Sequence, residues 1–118
     1  MTNIDVWFIV QAEETVMDFL VRIDVRRAYD LSAEERADLI KREQTRGREL
    51  HAEGVLRHIW RVPGTRANVG IWSAADADAL EGALESLPIR PYAEIEVTAL
   101  ATLAMVKEDP GAWVCHSG

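Results

Sequence analysis

The chain has 118 residues, 48% apolar and 28% charged, which suits one domain around one modest core and is too apolar for a disordered segment. A net charge of −7 without any basic, aromatic-interleaved patch argues against nucleic acid as a partner. The one cysteine, Cys115, leaves no internal disulfide and points to a reducing, cytoplasmic setting. The apolar run Val6–Val10 is too short to span a membrane and has no basic lead-in.

In chain order, Phe19, Val21, Ile23 and Val25 alternate with Leu20, Arg22, Asp24 and Arg26, the period of a strand with one apolar face. Ser32 with Glu35 predicts a capping box, each side chain serving the other's backbone donor. The helix it opens is expected over Ala33–Glu53, stopped by Gly54. Val55–Val62 and Ala67–Trp72 read as strands joined at Pro63-Gly64 into a hairpin. Ser73 and Asp76 start a second helix to Leu87, with Ala77, Leu80, Leu84 and Leu87 as its buried stripe and Pro88 as its end. Glu94–Leu100 alternates again and is the last strand.

The order β-α-β-β-α-β predicts an α+β, ferredoxin-like sandwich with two helices on one face of an antiparallel sheet. Residues 1–16 are expected to form an N-terminal extension, 17–104 the domain and 105–118 a C-terminal tail that ends irregularly, with Pro110-Gly111, Trp113 and Cys115. Within the extension, Val6–Val10 is expected to add an edge strand or to pack on another subunit. The uncovered sheet face, with Leu20, Arg22 and Asp24, predicts a homo-oligomer of at least two copies.

Glu43 breaks the pattern of its helix. At about 100° per residue it falls among Leu39, Ile40, Gly47 and Leu50, on the stripe that should be enclosed. A carboxylate there is costly unless it is paired, protonated or used. A salt bridge or a wet stripe edge would make it structural; an apolar pocket beside the open space at Gly47 would make it a general base. His58-Ile59-Trp60-Arg61 is the second cluster: on a strand, His58 and Trp60 share one face, and Ile59 and Arg61 the other. Asn68 on the facing strand could orient a ligand carbonyl or merely cap the hairpin. Metal-ligand spacing, a nucleophile motif and a phosphate-binding glycine loop are all missing, so acid–base chemistry without a cofactor, or simple binding, is what the residues offer.

The segments "EGVLRHIWRVPGTRANVGIW" and "LESLPIRPYAEIEV" around Gly54–Leu100, with "MDFLVRIDV" at Met17, resemble the muconolactone Δ-isomerase family, including the chloromuconolactone dehalogenases. The likeness spans Met17–Leu100, about seventy per cent of the chain, and rests on "EG", "WR", "G..AN" and "LP..PY". It implies a dimeric α+β barrel subunit, often assembled into a decamer, with active sites near subunit contacts and no cofactor. The implied reaction transposes a C=C bond in a butenolide carrying a carboxylate. A base takes a carbon-bound proton, a dienolate forms, and the proton returns to another carbon.

By the same resemblance the family's catalytic glutamate aligns with Glu43. Arg22 and Arg61 are then expected to anchor a carboxylate or enolate oxygen, Asn68 to donate to a carbonyl, and Trp60 and Tyr92 to wall the pocket. His58 is a further substrate contact and the next candidate base. The family lysine three residues before the glutamate is Ile40 here, and the lysine after it is Gln44. These changes make the pocket more apolar and should raise the Glu43 pKa. They also leave room for a divergent isomerisation or cyclisation in a biosynthetic pathway, or for a binding module without chemistry.

Overall fold

The computed structural model describes residues 16–113. The Val6–Val10 run, Cys115 and His116 lie outside the described residues. Strand β1 (Met17–Asp24) leads through a 3-10 turn at Arg26–Asp30 to helix α1 (Ala33–Ala52). The hairpin β2 (Leu56–Arg61) and β3 (Ala67–Ala74) follows, then helix α2 (Ala77–Glu85), a 3-10 turn at Arg90–Tyr92 and strand β4 (Glu94–Leu100). The sheet order is β2-β3-β1-β4, antiparallel throughout, so the chain has the ferredoxin-like α+β fold that its alternation predicts. None of the described helices is long and apolar enough to cross a membrane.

β1 occupies the centre of the sheet because its inward residues Phe19, Val21 and Ile23 are all apolar and all buried. Across from them on β3 stand Trp72, Gly70 and Asn68. Leu39 and Leu50 of α1 and Leu80 and Leu84 of α2 close the core over this face. Gly70 is the crossing point of the sheet. A Cβ there would lie 2.6 Å from the His58 main-chain oxygen, so β2 and β3 approach each other only over a glycine. Gly70→Ala should therefore force the strands apart and cost about 1–3 kcal/mol. The check is a lower urea midpoint with an unchanged m-value.

Several boundaries differ from expectation, each for a local reason. Ser32 Oγ accepts from the Glu35 N–H as predicted, but the Glu35 carboxylate takes the Ser32 hydroxyl at 2.8 Å rather than its backbone N–H. The capping box is thus closed on one side only. Gly54 does adopt the left-handed conformation, with φ +80°, beyond an α1 that ends at Ala52. Ser73 belongs to β3 rather than to the second helix, because its hydroxyl donates to Asp18 Oδ1 at 2.6 Å across the sheet. Asp76 alone caps α2, accepting from the Ala79 N–H. That helix stops at Glu85, and Leu87 is buried in the following turn, while Ala77 is exposed. The tail is not irregular where it is described: Ala104–Glu108 forms helix α3 and Pro110–Trp113 a 3-10 turn.

A β-bulge interrupts β2. Leu56 pairs with Trp72, but His58 pairs with Ile71, so Arg57 is an extra residue without a partner on β3. Every later side chain of β2 changes face as a result. Leu56, Ile59 and Arg61 share the side of Trp72, Gly70 and Asn68, whereas His58 and Trp60 lie with Ile71 and Val69 on the helix-free face.

Candidate active site

α1 meets the core through two leucines. Leu39 and Leu50 are buried, and between them the inward positions carry Glu43 and Gly47 instead of large apolar groups. The space left under the helix is a cavity of about 750 Å³. Ile40, Glu43, Gln44, Gly47, Arg48 and His51 of α1 form its roof. Its floor is Ile23 and Val25 of the β1 end, Leu56–Ile59 of β2, and Asn68 and Trp72 of β3, and Leu87 and Ile89 close one side.

Glu43 is half-buried, and among the described residues no cation pairs with it. Its Oε1 accepts one hydrogen bond, from the Ile89 N–H at 2.8 Å. The turn Leu87-Pro88-Ile89-Arg90-Pro91-Tyr92 supplies that donor, folded on itself by the Arg90 N–H to Leu87 carbonyl and Tyr92 N–H to Ile89 carbonyl bonds. Burial raises the Glu43 pKa above its ordinary 4.5, and the Ile89 hydrogen bond only partly offsets this. With Oε1 held, Oε2 carries no hydrogen bond among the described residues.

Asn68 is half-buried in the cavity floor, and among the described residues its Oδ1 has no partner. The buried indole Nε1 of Trp72 also lacks one. Unsatisfied buried polar atoms are uncommon in native proteins, and here two belong to residues lining one cavity.

The remaining residues expected at the site are placed elsewhere. Arg22 is on the helix-free face, 3.9 Å from the Asp24 carboxylate. Trp60 is exposed on that face and stacks on His58 with ring centroids 5.7 Å apart, so His58 turns its main chain, not its imidazole, to the cavity side. Arg61 is exposed near the end of β2 and does not line the cavity. Tyr92 lies across α1 in a small separate cleft with Leu31, Leu39 and Arg42. Of the seven residues singled out from the sequence, the cavity lining includes Glu43, Asn68 and His58.

His51, Arg48, Arg57 and Trp72 line the cavity and were not anticipated. For the two that lie on α1, His51 and Arg48, a helical wheel gives a shared sector beside Glu43 and nothing more. Turning from Glu43 away from Leu39 and Leu50, one meets Gly47, Ile40, His51, Gln44 and Arg48 within about 140°. Glu43 therefore marks the line between the core stripe and a second, cavity-facing stripe. Arg57 depends on the bulge, for which the sequence offers no such signal.

Comparison with known proteins fits this geometry. The family profile described as Muconolactone delta-isomerase matches residues 17–104. The chain belongs to the muconolactone delta-isomerase family. The muconolactone Delta-isomerase of Cupriavidus pinatubonensis is 38% identical over 85 residues, covering 72% of this chain and 92% of that relative. Muconolactone Delta-isomerase 2 of Acinetobacter lwoffii is 37% identical over 84 residues, 71% of this chain and 88% of its own. A crystal structure of muconolactone isomerase superposes with a TM-score of 0.69 at 32% identity, over 75% of this chain and 92% of that one.

Proposed function

We propose that this family member is an isomerase that shifts a carbon–carbon double bond in a small, muconolactone-like lactone by moving a proton. The observation that carries the reading is Glu43: a carboxylate without a counter-ion, facing an apolar cavity, held by one backbone N–H and made more basic by burial. A structural carboxylate would be closed into an ion pair, as Asp38 and Glu49 are with Arg42 and Arg46.

In the proposed cycle, the free Glu43 oxygen takes an acidic C–H proton of the bound lactone. The electron pair left behind spreads over the conjugated ring onto the carbonyl oxygen as a dienolate. The Asn68 amide can turn its NH₂ toward that oxygen, since the two ends of the amide are nearly the same shape. Protonated Glu43 then returns its proton to a different ring carbon, and the double bond emerges one position along. All of this can be done by side chains, with substrate charge stabilised by oriented dipoles in a largely apolar cavity.

The pH dependence tests the assignment. The base must be ionised, so kcat/KM for muconolactone should fall on the acid side with an inflection above 4.5, because the folded pKa is raised. An acid limb centred at or below 4.5 would speak against Glu43 as the base.

The same proposal includes a homo-oligomer, a cytoplasmic setting and a step in aromatic catabolism. Support for assembly comes from the helix-free face, where Leu20, Trp60, His58 and Ile71 form a partly apolar surface that no described element covers. Light scattering at micromolar concentration should give at least a dimer mass, and a monomer would overturn this.

A further inference from the structure

Two arginines are brought to one end of the cavity by separate elements. His51 Nδ1 lies 2.9 Å from the Leu56 carbonyl, which can only accept, so the last turn of α1 is tied to the first residue of β2. Arg48, one turn before His51, and Arg57, next to Leu56, both line the cavity, on the two elements that this bond joins. Neither has an acidic partner among the described residues, a state they share with Arg27, Arg36, Arg61, Arg66 and Arg90, but these two also line the cavity. Glu43 is the one acidic residue among those lining the cavity.

The bulge gives this pairing its weight. An extra residue in a strand re-aims a side chain, and the extra residue of β2 is Arg57. A solvated surface arginine would need no such break in the ladder. The two cations also leave the base alone: burial and the Ile89 N–H account for the Glu43 shift, and no cation contributes to it. Arg48 is about 7.5 Å further along the helix axis than Glu43. The cavity thus has an apolar, basic end and a separate cationic end.

We propose that Arg48 and Arg57 clamp the side-chain carboxylate of the substrate and make the site specific for anionic lactones. This rests on the isomerase reading above and names the residues that select its substrate. The guanidinium fork is suited to two parallel bonds with a carboxylate, which would fix the ring with its acidic carbon toward Glu43.

The test uses muconolactone and its methyl ester with wild type, Arg48→Gln, Arg57→Gln and the double variant. Each single change should raise KM for the acid about 10–100-fold, the scale of a lost charged hydrogen bond, with kcat within a few-fold. The ester should show a similar penalty in wild type and no further loss in the variants. An unchanged KM, or equal losses on acid and ester, would overturn the clamp while leaving the isomerase intact. Should wild type not turn over muconolactone, binding of 3-hydroxyphenylacetate against 3-hydroxyphenylacetamide still decides the clamp. Preference for the acid, lost in Arg48→Gln and Arg57→Gln, supports it; equal affinity, or no binding of the acid, sinks it.

Discussion

Glu43→Gln should abolish turnover while leaving the fold intact and, at neutral pH, more stable. The amide keeps the shape and can still accept from the Ile89 N–H, so the loop–helix contact survives. What it removes is proton affinity, and general base catalysis contributes about 10²–10⁴-fold. The loss in kcat should be at least that large, and solvent deuterium, which wild type should place in the product, should no longer appear there. Stability should move the opposite way. The folded pKa of Glu43 is raised, so protonation favours the native state. That contribution is complete below the unfolded pKa and is lost as pH rises through the folded one. Denaturant titrations should find Glu43→Gln ahead of wild type at pH 7 and the gap closing toward pH 4. A variant that keeps near-wild-type turnover would pass the role of base to another group.

Gly47 should separate helix stability from access to the site. A Cβ at this position meets nothing within 4 Å, so Gly47→Ala removes backbone freedom from the unfolded chain without a clash. It should stabilise the protein by about 0.5–1 kcal/mol, seen as a raised melting temperature, with activity retained. Gly47→Phe puts an aromatic ring into the cavity roof one turn from Glu43. Displacing a substrate by as little as 1 Å can cost about 10²-fold, so kcat/KM should fall by at least that much while circular dichroism stays native. Full activity in Gly47→Phe would place the reaction outside this cavity.

The fold was legible because its signals are periodic and redundant. Alternation in β1 and β4, the Ser32 cap and the Gly54 stop each reflect one local rule, and the bounds of β4 agree to the residue. Glu43 was legible for the complementary reason, as a violation of its helix's pattern. The cationic end was not. Arg48 and His51 are polar at positions where either solvent or a cavity would accept them, and hydropathy cannot tell the two apart. Arg57 needed the bulge, which is a matter of how β2 and β3 pair between Leu56 and His58 and not of any local pattern. The same shift of face took Trp60 and the His58 ring away from the cavity, while Arg22 follows the outward half of the β1 alternation.

The bond that holds Glu43 comes from a peptide group and not from a side chain, which bears on how this catalyst can vary. The donor at position 89 is present whatever residue is encoded there, with proline the exception. Substitution at that codon can reshape the cavity wall without releasing the base. The burden falls instead on the prolines at 88 and 91, which set the path of the turn. A chimaera joined anywhere between residues 54 and 86 would take its base from one parent and the support for it from the other. It should remain competent as long as both parents share that turn, so substrate range can be recombined while the proton carrier stays in register.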